Sequence, residues 1–121
     1  MRTAHVNDIE IEIEVIGQGE PLLLIHGFNL ATGLAPMAAA LAVEGPSLRL
    51  VRYHRRGMAG SGGRGWPISV QQQAADALGL LDALGLPSAH LLGYSYGAVI
   101  ALETALSAPA ACEAWHSSNR S

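Results

Sequence analysis

The segment Gly93-Tyr94-Ser95-Tyr96-Gly97 constrains this chain more than any other, because of what flanks it. Ahead of it stands a short apolar run, Ala89-His90-Leu91-Leu92, and behind it Ala98-Val99-Ile100-Ala101-Leu102-Glu103 has the make-up of a helix. Strand, sharp turn and helix in that order, with a glycine two places either side of the serine, describe a bend in which backbone segments approach too closely for ordinary side chains. Ser95 then occupies a strained tip with its hydroxyl outside the sheet. Tyr96 opens the helix, where unpaired N–H groups and the helix dipole favour negative charge. The pattern predicts a nucleophile elbow, with Gly93 and Gly97 letting the turn close and the Tyr96 amide serving as an oxyanion donor.

The preceding residues alternate between strand and helix patterns. Ile9, Ile11, Ile13 and Val15 alternate with Glu10, Glu12 and Glu14, the signature of a strand with one wet face, and Asn7-Asp8 is placed to turn it back on residues 3–6. Pro21-Leu22-Leu23-Leu24-Ile25 is apolar without alternation, as a central parallel strand covered on both faces requires. It ends at His26-Gly27-Phe28-Asn29, and loops at such strand ends are where ligands sit. Pro36 opens an Ala-rich helix running to Gly45-Pro46, and Leu48 to Tyr53 is a further strand. Gly57 to Pro67 is a glycine-rich loop, after which Ser69 and Gln72 form a capping box for a helix with Val70, Ala74, Ala77, Leu78, Leu81 and Leu84 on its apolar face and Asp76 and Asp82 towards water. Gly85 and Pro87 end that helix. The expected fold class is α/β: three layers around a mostly parallel sheet. Residues 109–121 carry neither a buried-strand run nor helical spacing and are expected to form an irregular tail behind a domain of residues 1–108.

Three segments in order, His26-Gly27-Phe28, Tyr53-His54-Arg55-Arg56-Gly57-Met58-Ala59-Gly60-Ser61 and Gly93-Tyr94-Ser95-Tyr96-Gly97-Ala98, resemble the α/β-hydrolase superfamily from about Ile9 to Ala108. Within it the chain looks most like the serine esterase, haloperoxidase and enol-lactonase type. That type's second motif resembles Tyr-Asp-x-Arg-Gly-x-Gly-x-Ser; here His54 replaces the aspartate and Ala59 a glycine. The resemblance implies Ser95 as catalytic nucleophile and the backbone amides of Phe28 and Tyr96 as the oxyanion hole. A serine at the elbow points to acyl transfer on a small ester-like substrate rather than to carboxylate-mediated opening of epoxides. The superfamily places its acid and histidine after the serine. After Ser95 there is no aspartate, only Glu103, Glu113 and His116. The expectation is therefore a fold truncated after the elbow helix, by a shortened or frame-shifted gene, of doubtful activity. The alternative is a non-catalytic remnant that self-associates through an exposed sheet edge.

Composition narrows the remaining classes. The net charge is −3, and the seven basic residues are scattered arginines apart from Arg55-Arg56, which argues against nucleic acid or an anionic membrane as partner. The apolar stretches at residues 34–43 and 91–102 are too short to span a bilayer. One cysteine and an N-terminus without a signal-like run make a cytoplasmic address the expectation. Gly60-Ser61-Gly62-Gly63-Arg64-Gly65 fits a dinucleotide pattern, but Trp66-Pro67 follows in place of a helix start. The five histidines are dispersed, with no His-Glu-x-x-His motif, so neither a metal nor a cofactor is expected. Arg55 and Arg56 are expected to tie down their own loop rather than to bind a substrate carboxylate.

Overall fold

The structure, a computed structural model, describes residues 2–27, 38–41, 47–63 and 68–118, with side chains to residue 113. Strands β1 (Arg2–Val6) and β2 (Ile9–Ile16) form a hairpin in which Val6 faces Ile9 across Asn7 and Asp8. Both turn residues have positive φ, 47° and 68°. This is the two-residue turn whose twist matches that of its strands, and Asn and Asp are the non-glycine residues that best tolerate it. As the alternation requires, Ile11 and Ile13 are buried while Glu10 is exposed.

Strands β3 (Glu20–Ile25), β4 (Leu48–Tyr53), β5 (Ala89–Tyr94) and β6 (Cys112–Ser118) complete a six-stranded sheet ordered β1-β2-β4-β3-β5-β6. The pairs from β4 through β6 are parallel, and β1 and β2 are the antiparallel extension. Because β4 and β5 flank β3 on opposite sides, the connections diverge at the C-terminal end of β3 and open a crevice there. His26 follows β3 and Ser95 follows β5, so the sheet order brings the two motifs to one rim.

Helices α1 (Val70–Ala83) and α2 (Tyr96–Ser107) cover one face, closing a core of Ile11, Ile13, Leu23, Ile25, Val51, Leu80, Leu91 and Ile100. On the other face Leu22, Leu24 and Leu50 pack with Ala38 of a helical segment at residues 38–41, giving the third layer. Residues 36 and 45–46, expected to bound that helix, lie outside the described residues. Ser69 caps α1 by accepting from the Gln72 amide at 3.0 Å, but the Gln72 side chain does not return the bond: it donates to Asp76 instead. At the far end Gly85 takes φ +70°, with Leu86 N–H on the Leu81 carbonyl and Gly85 N–H on that of Asp82, a Schellman stop.

Two further expectations are corrected. Asp76 does not face water; it is 1% exposed, held by an arginine described below. Residues 109–121 are not an irregular tail throughout: a 3₁₀ turn, Pro109–Ala111, leads into β6, which pairs in parallel with β5. Strand pairing at a sheet edge uses backbone N–H and C=O groups, so it needs no apolar side-chain pattern, and none announces it. The open edge expected at β5 is consequently covered, and among the described strands the edges are β1 and β6.

Candidate active site

Ser95 links β5 to α2 at φ 57°, ψ −120°, outside the regions that ordinary L-residues favour, and it is exposed. The two elbow glycines explain how the chain reaches that conformation. A Cβ on Gly93 would strike the Gly97 carbonyl, and one on Gly97 would strike the backbone carbonyls of Ile25 and His26 at the end of β3. These obstacles are backbone, so they cannot swing aside. Gly27 lies equally close to the serine: a Cβ there would stand 3.3 Å from the Ser95 Cβ and 3.7 Å from its Oγ. The turn after β3 and the tip after β5 therefore touch, and Ser95 sits beside residue 27. Tyr96 is the first residue of α2, at the positive end of the helix dipole. Phe28 lies outside the described residues.

The turn after β3 is held from below by the loop after β4. His26 is buried; its Nε2 lies 2.9 Å from the Arg55 backbone nitrogen and its Nδ1 2.7 Å from the Gly27 carbonyl. Only one tautomer satisfies both contacts: Nε2 accepts and Nδ1–H donates. Burial pushes the His26 pKa down to about 4, against the opposing pull of its bond to Gly27, so the ring is neutral with both nitrogens occupied and cannot act as a base. Arg55 donates through Nε to the His26 carbonyl at 3.1 Å and through Nη2 to the Gly27 carbonyl at 2.9 Å.

Where the family pattern has an aspartate, His54 reaches across to a carboxylate on β2: its Nδ1 lies 2.8 Å from Glu12 Oε1, which also accepts from the Gly60 N–H at 2.8 Å. The hydrogen bonds from His54 and Gly60 hold the Glu12 pKa below its ordinary value. Ser61 fastens the same loop, donating to the His54 carbonyl at 2.6 Å and accepting from the Glu12 amide at 2.9 Å. Ala59, standing for a glycine, has φ 47°, a conformation that favours glycine. Arg56 forks onto the buried Asp76 with Nε on Oδ2 at 2.8 Å and Nη2 on Oδ1 at 3.0 Å, and Asn7 and Gln72 donate to the same Oδ1. Both arginines thus tie down their loop. The pairing of Asp76 has a sequence signal: residue 76 stands three after Gln73 and four before Leu80, on the helix's own buried stripe.

Among the described residues no imidazole or carboxylate hydrogen-bonds to Ser95, whose side chain makes no cap contact on α2. Glu103 accepts from Ser107 near the far end of that helix. His116, part of the segment expected to be an irregular tail, lies in β6 opposite Leu92, so its backbone runs beside the strand that ends in the elbow. Its side chain is outside the described residues. At the opposite end of the sheet, Glu20, His90 and Glu113 place one potential metal-ligand atom each within 4.8 Å of one another, on the starts of β3, β5 and β6. An apolar cavity of about 230 Å³, lined by Leu22, Leu41, Leu48, His90 and Leu92, opens on the face away from α1 and α2.

A sequence profile described as the alpha/beta hydrolase fold matches residues 20–120. The chain belongs to the α/β-hydrolase family. A protein of Azorhizobium caulinodans, provisionally named carbamate hydrolase RutD, is 34% identical over 110 residues, a match covering 90% of this chain and 40% of that protein. Rhodomycin D methylesterase DnrP of Streptomyces peucetius is 31% identical over 116 residues, covering 90% of this chain and 39% of its own. Among solved structures, the enol-lactonase from Burkholderia xenovorans LB400 superposes with a TM-score of 0.80 at 27% identity, over 92% of this chain and 44% of that one. This α/β hydrolase chain spans about 40% of the length of these curated relatives. No helix among the described residues is long and apolar enough to cross a membrane.

Proposed function

We propose that Ser95 is the nucleophile of a serine hydrolase acting on a small ester or related acyl bond, with the backbone amides of Phe28 and Tyr96 as the oxyanion hole. The observation that carries this reading is the tip itself: an exposed hydroxyl on a strained residue, packed against Gly27 and ahead of a helix N-terminus. Holding a serine at φ 57° costs about 1–3 kcal/mol, and such strain gathers at sites where it serves chemistry. In the reaction the hydroxyl oxygen bonds to the acyl carbon, the carbonyl oxygen gains negative charge between the two amides, the ester C–O bond breaks as the alcohol leaves with the serine's proton, and water then cleaves the acyl-serine to the acid and free Ser95.

With no imidazole bonded to the serine among the described residues, the hydroxyl keeps its proton at neutral pH and turnover is slow. Such a chain hydrolyses an activated ester with a good leaving group and leaves an unactivated one intact. The test is p-nitrophenyl acetate turnover by the purified chain and by Ser95→Ala. A rate above background that the substitution removes is the expected result; equal rates overturn the assignment.

A second reading, a non-catalytic module that pairs with another chain through a sheet edge, is favoured by different observations. Among the described strands β6 ends the sheet, and α2 exposes Val99, Leu102 and Leu106, the last 69% exposed. Light scattering that finds a dimer, with no Ser95-dependent hydrolysis, supports that reading.

A further inference from the structure

Glu20 opens β3, and His90 and Glu113 each stand second in β5 and β6. The three strands are parallel neighbours in the order β3-β5-β6, so their first residues share the rim of the sheet opposite to Ser95. Alternation puts the three side chains on one face. Leu22 and Leu92, two residues beyond Glu20 and His90, line the apolar cavity together with His90, while Cys112 packs against the core under α1 and α2 and so turns its neighbour Glu113 to the other side. The pairing of β6 adds to this. From Cys112 to Trp115 it spends one residue more than β5 does from Ala89 to Leu91, so Glu113 and Ala114 both stand opposite His90.

Each of the three side chains brings a donor atom within 4.8 Å of the other two, and His90 Nε2 is 3.1 Å from Glu20 Oε2. Donors bound to a tetrahedral zinc ion at about 2.0–2.1 Å stand about 3.3 Å apart. The His90 and Glu20 atoms already have that spacing, and even a pair at 4.8 Å closes it by a movement of roughly 1.5 Å, within reach of a glutamate turning about its own bonds. Ser88 donates to Glu113 Oε1 at 2.6 Å, in the manner of the outer hydrogen bonds that orient metal-binding carboxylates. Among the described residues neither glutamate pairs with an arginine, so two negative charges meet at this rim with an imidazole between the strands that carry them, a balance that one dication completes.

We propose that Glu20, His90 and Glu113 form a binding site for a divalent cation of the zinc class, a staple that ties β6 to β5 and β3. The ion replaces the hydrogen bond between His90 Nε2 and Glu20. One imidazole nitrogen with two carboxylates suits zinc, whereas magnesium and calcium take oxygen ligands. No motif in the sequence announces the site, because sheet order assembles it: Glu20 and His90 are 70 residues apart. The site lies at the far rim from Ser95 and does not depend on the hydrolase reading.

The experiment titrates the full, untagged, metal-free chain with zinc chloride by calorimetry, with magnesium and calcium chloride for comparison. It is repeated in Glu20→Gln, His90→Gln and Glu113→Gln, and in His5→Gln at the exposed His5-Glu10 pair of the hairpin. One zinc per chain is expected, with no saturable binding of magnesium or calcium over the same range. Each substitution in the site raises the Kd at least about 10-fold, and His5→Gln leaves it unchanged. Zinc at 100 times its Kd raises the melting temperature of the native chain by roughly 10 °C, and the same concentration raises that of Glu113→Gln by no more than about half as much. Nitrogen-15 NMR of the imidazoles follows the ligand itself: the His90 ring resonances move on titration and those of His5 stay. Absence of saturable zinc binding overturns the proposal. So does zinc bound with native affinity in His90→Gln and Glu113→Gln, which identifies adventitious attachment to other surface groups. Should His90→Gln fail to fold, Glu113→Gln, a change at an exposed side chain, carries the same calorimetric and thermal readouts.

Discussion

Replacing Asp76 by asparagine separates a buried ionic anchor from an ordinary helix carboxylate. The side chain keeps its size but loses its charge and half of its acceptor capacity, while Arg56, 14% exposed at its side chain, keeps a guanidinium aimed at it through two bonds. Leaving one member of a buried pair uncompensated costs about 3–5 kcal/mol, and since Arg56 retains some access to water the lower figure, about 3 kcal/mol, applies. For a chain of 121 residues the unfolding entropy is about 0.25 kcal/mol per degree, so the melting temperature should fall by roughly 12 °C. Asp82→Asn on the same helix, at an exposed position, serves as the control and should move it by less than about 2 °C. Removing both charges together, as Arg56→Met with Asp76→Leu, should recover part of the loss, because a buried pair is often worth little more than the apolar groups that could replace it. Thermal melts followed by far-ultraviolet circular dichroism give all four values. If Asp76→Asn melts with Asp82→Asn, or the double variant melts below Asp76→Asn, the buried-pair account is wrong.

Ala59→Gly should stabilise the chain by about 0.5–1 kcal/mol in urea titration, since Ala59 sits at φ 47° and a glycine there removes the strain of its Cβ. Ser95→Gly should exceed Ser95→Ala in stability by about 1 kcal/mol for the same reason, while both abolish ester turnover. The pH dependence follows from His26, whose pKa is lowered to about 4 in the folded chain from the 6.5 of an exposed imidazole. Between those values the unfolded state binds a proton that the folded state refuses, so stability is full above about pH 7 and falls as pH drops towards 4, by about 3 kcal/mol in all. Urea midpoints measured from pH 7.5 to 5 should therefore decline, and in His26→Gln the decline over that interval should flatten; an equal slope in both would assign the effect elsewhere.

The sequence made the elbow legible because its requirement is local: a strained serine needs residues without bulk at fixed offsets, and Gly93 and Gly97 stand at them. The hairpin at Asn7-Asp8 and the stop at Gly85 were legible for the same reason, since positive φ restricts the residue types. The long-range pairs were not. Glu12 reads as one of three wet-face glutamates, and only the folding of residues 54–61 back onto β2 makes it the partner of His54 and Gly60. Asp76 reads as a surface acid until Arg56, twenty residues earlier, arrives against it. Strand β6 was hidden because edge pairing makes no demand on side-chain pattern. Arg55 was expected to tie its own loop, but no spacing in the chain indicates that it spans from the turn after β3 to Tyr96.

The most direct measurement is the site of covalent attachment after exposing the purified chain to a fluorophosphonate, read by intact mass and peptide mapping with Ser95→Ala alongside. A single phosphonyl group on Ser95, absent from the variant, is the predicted result. Attachment elsewhere, or an unmodified Ser95 in a chain that retains its native circular dichroism spectrum, would contradict it.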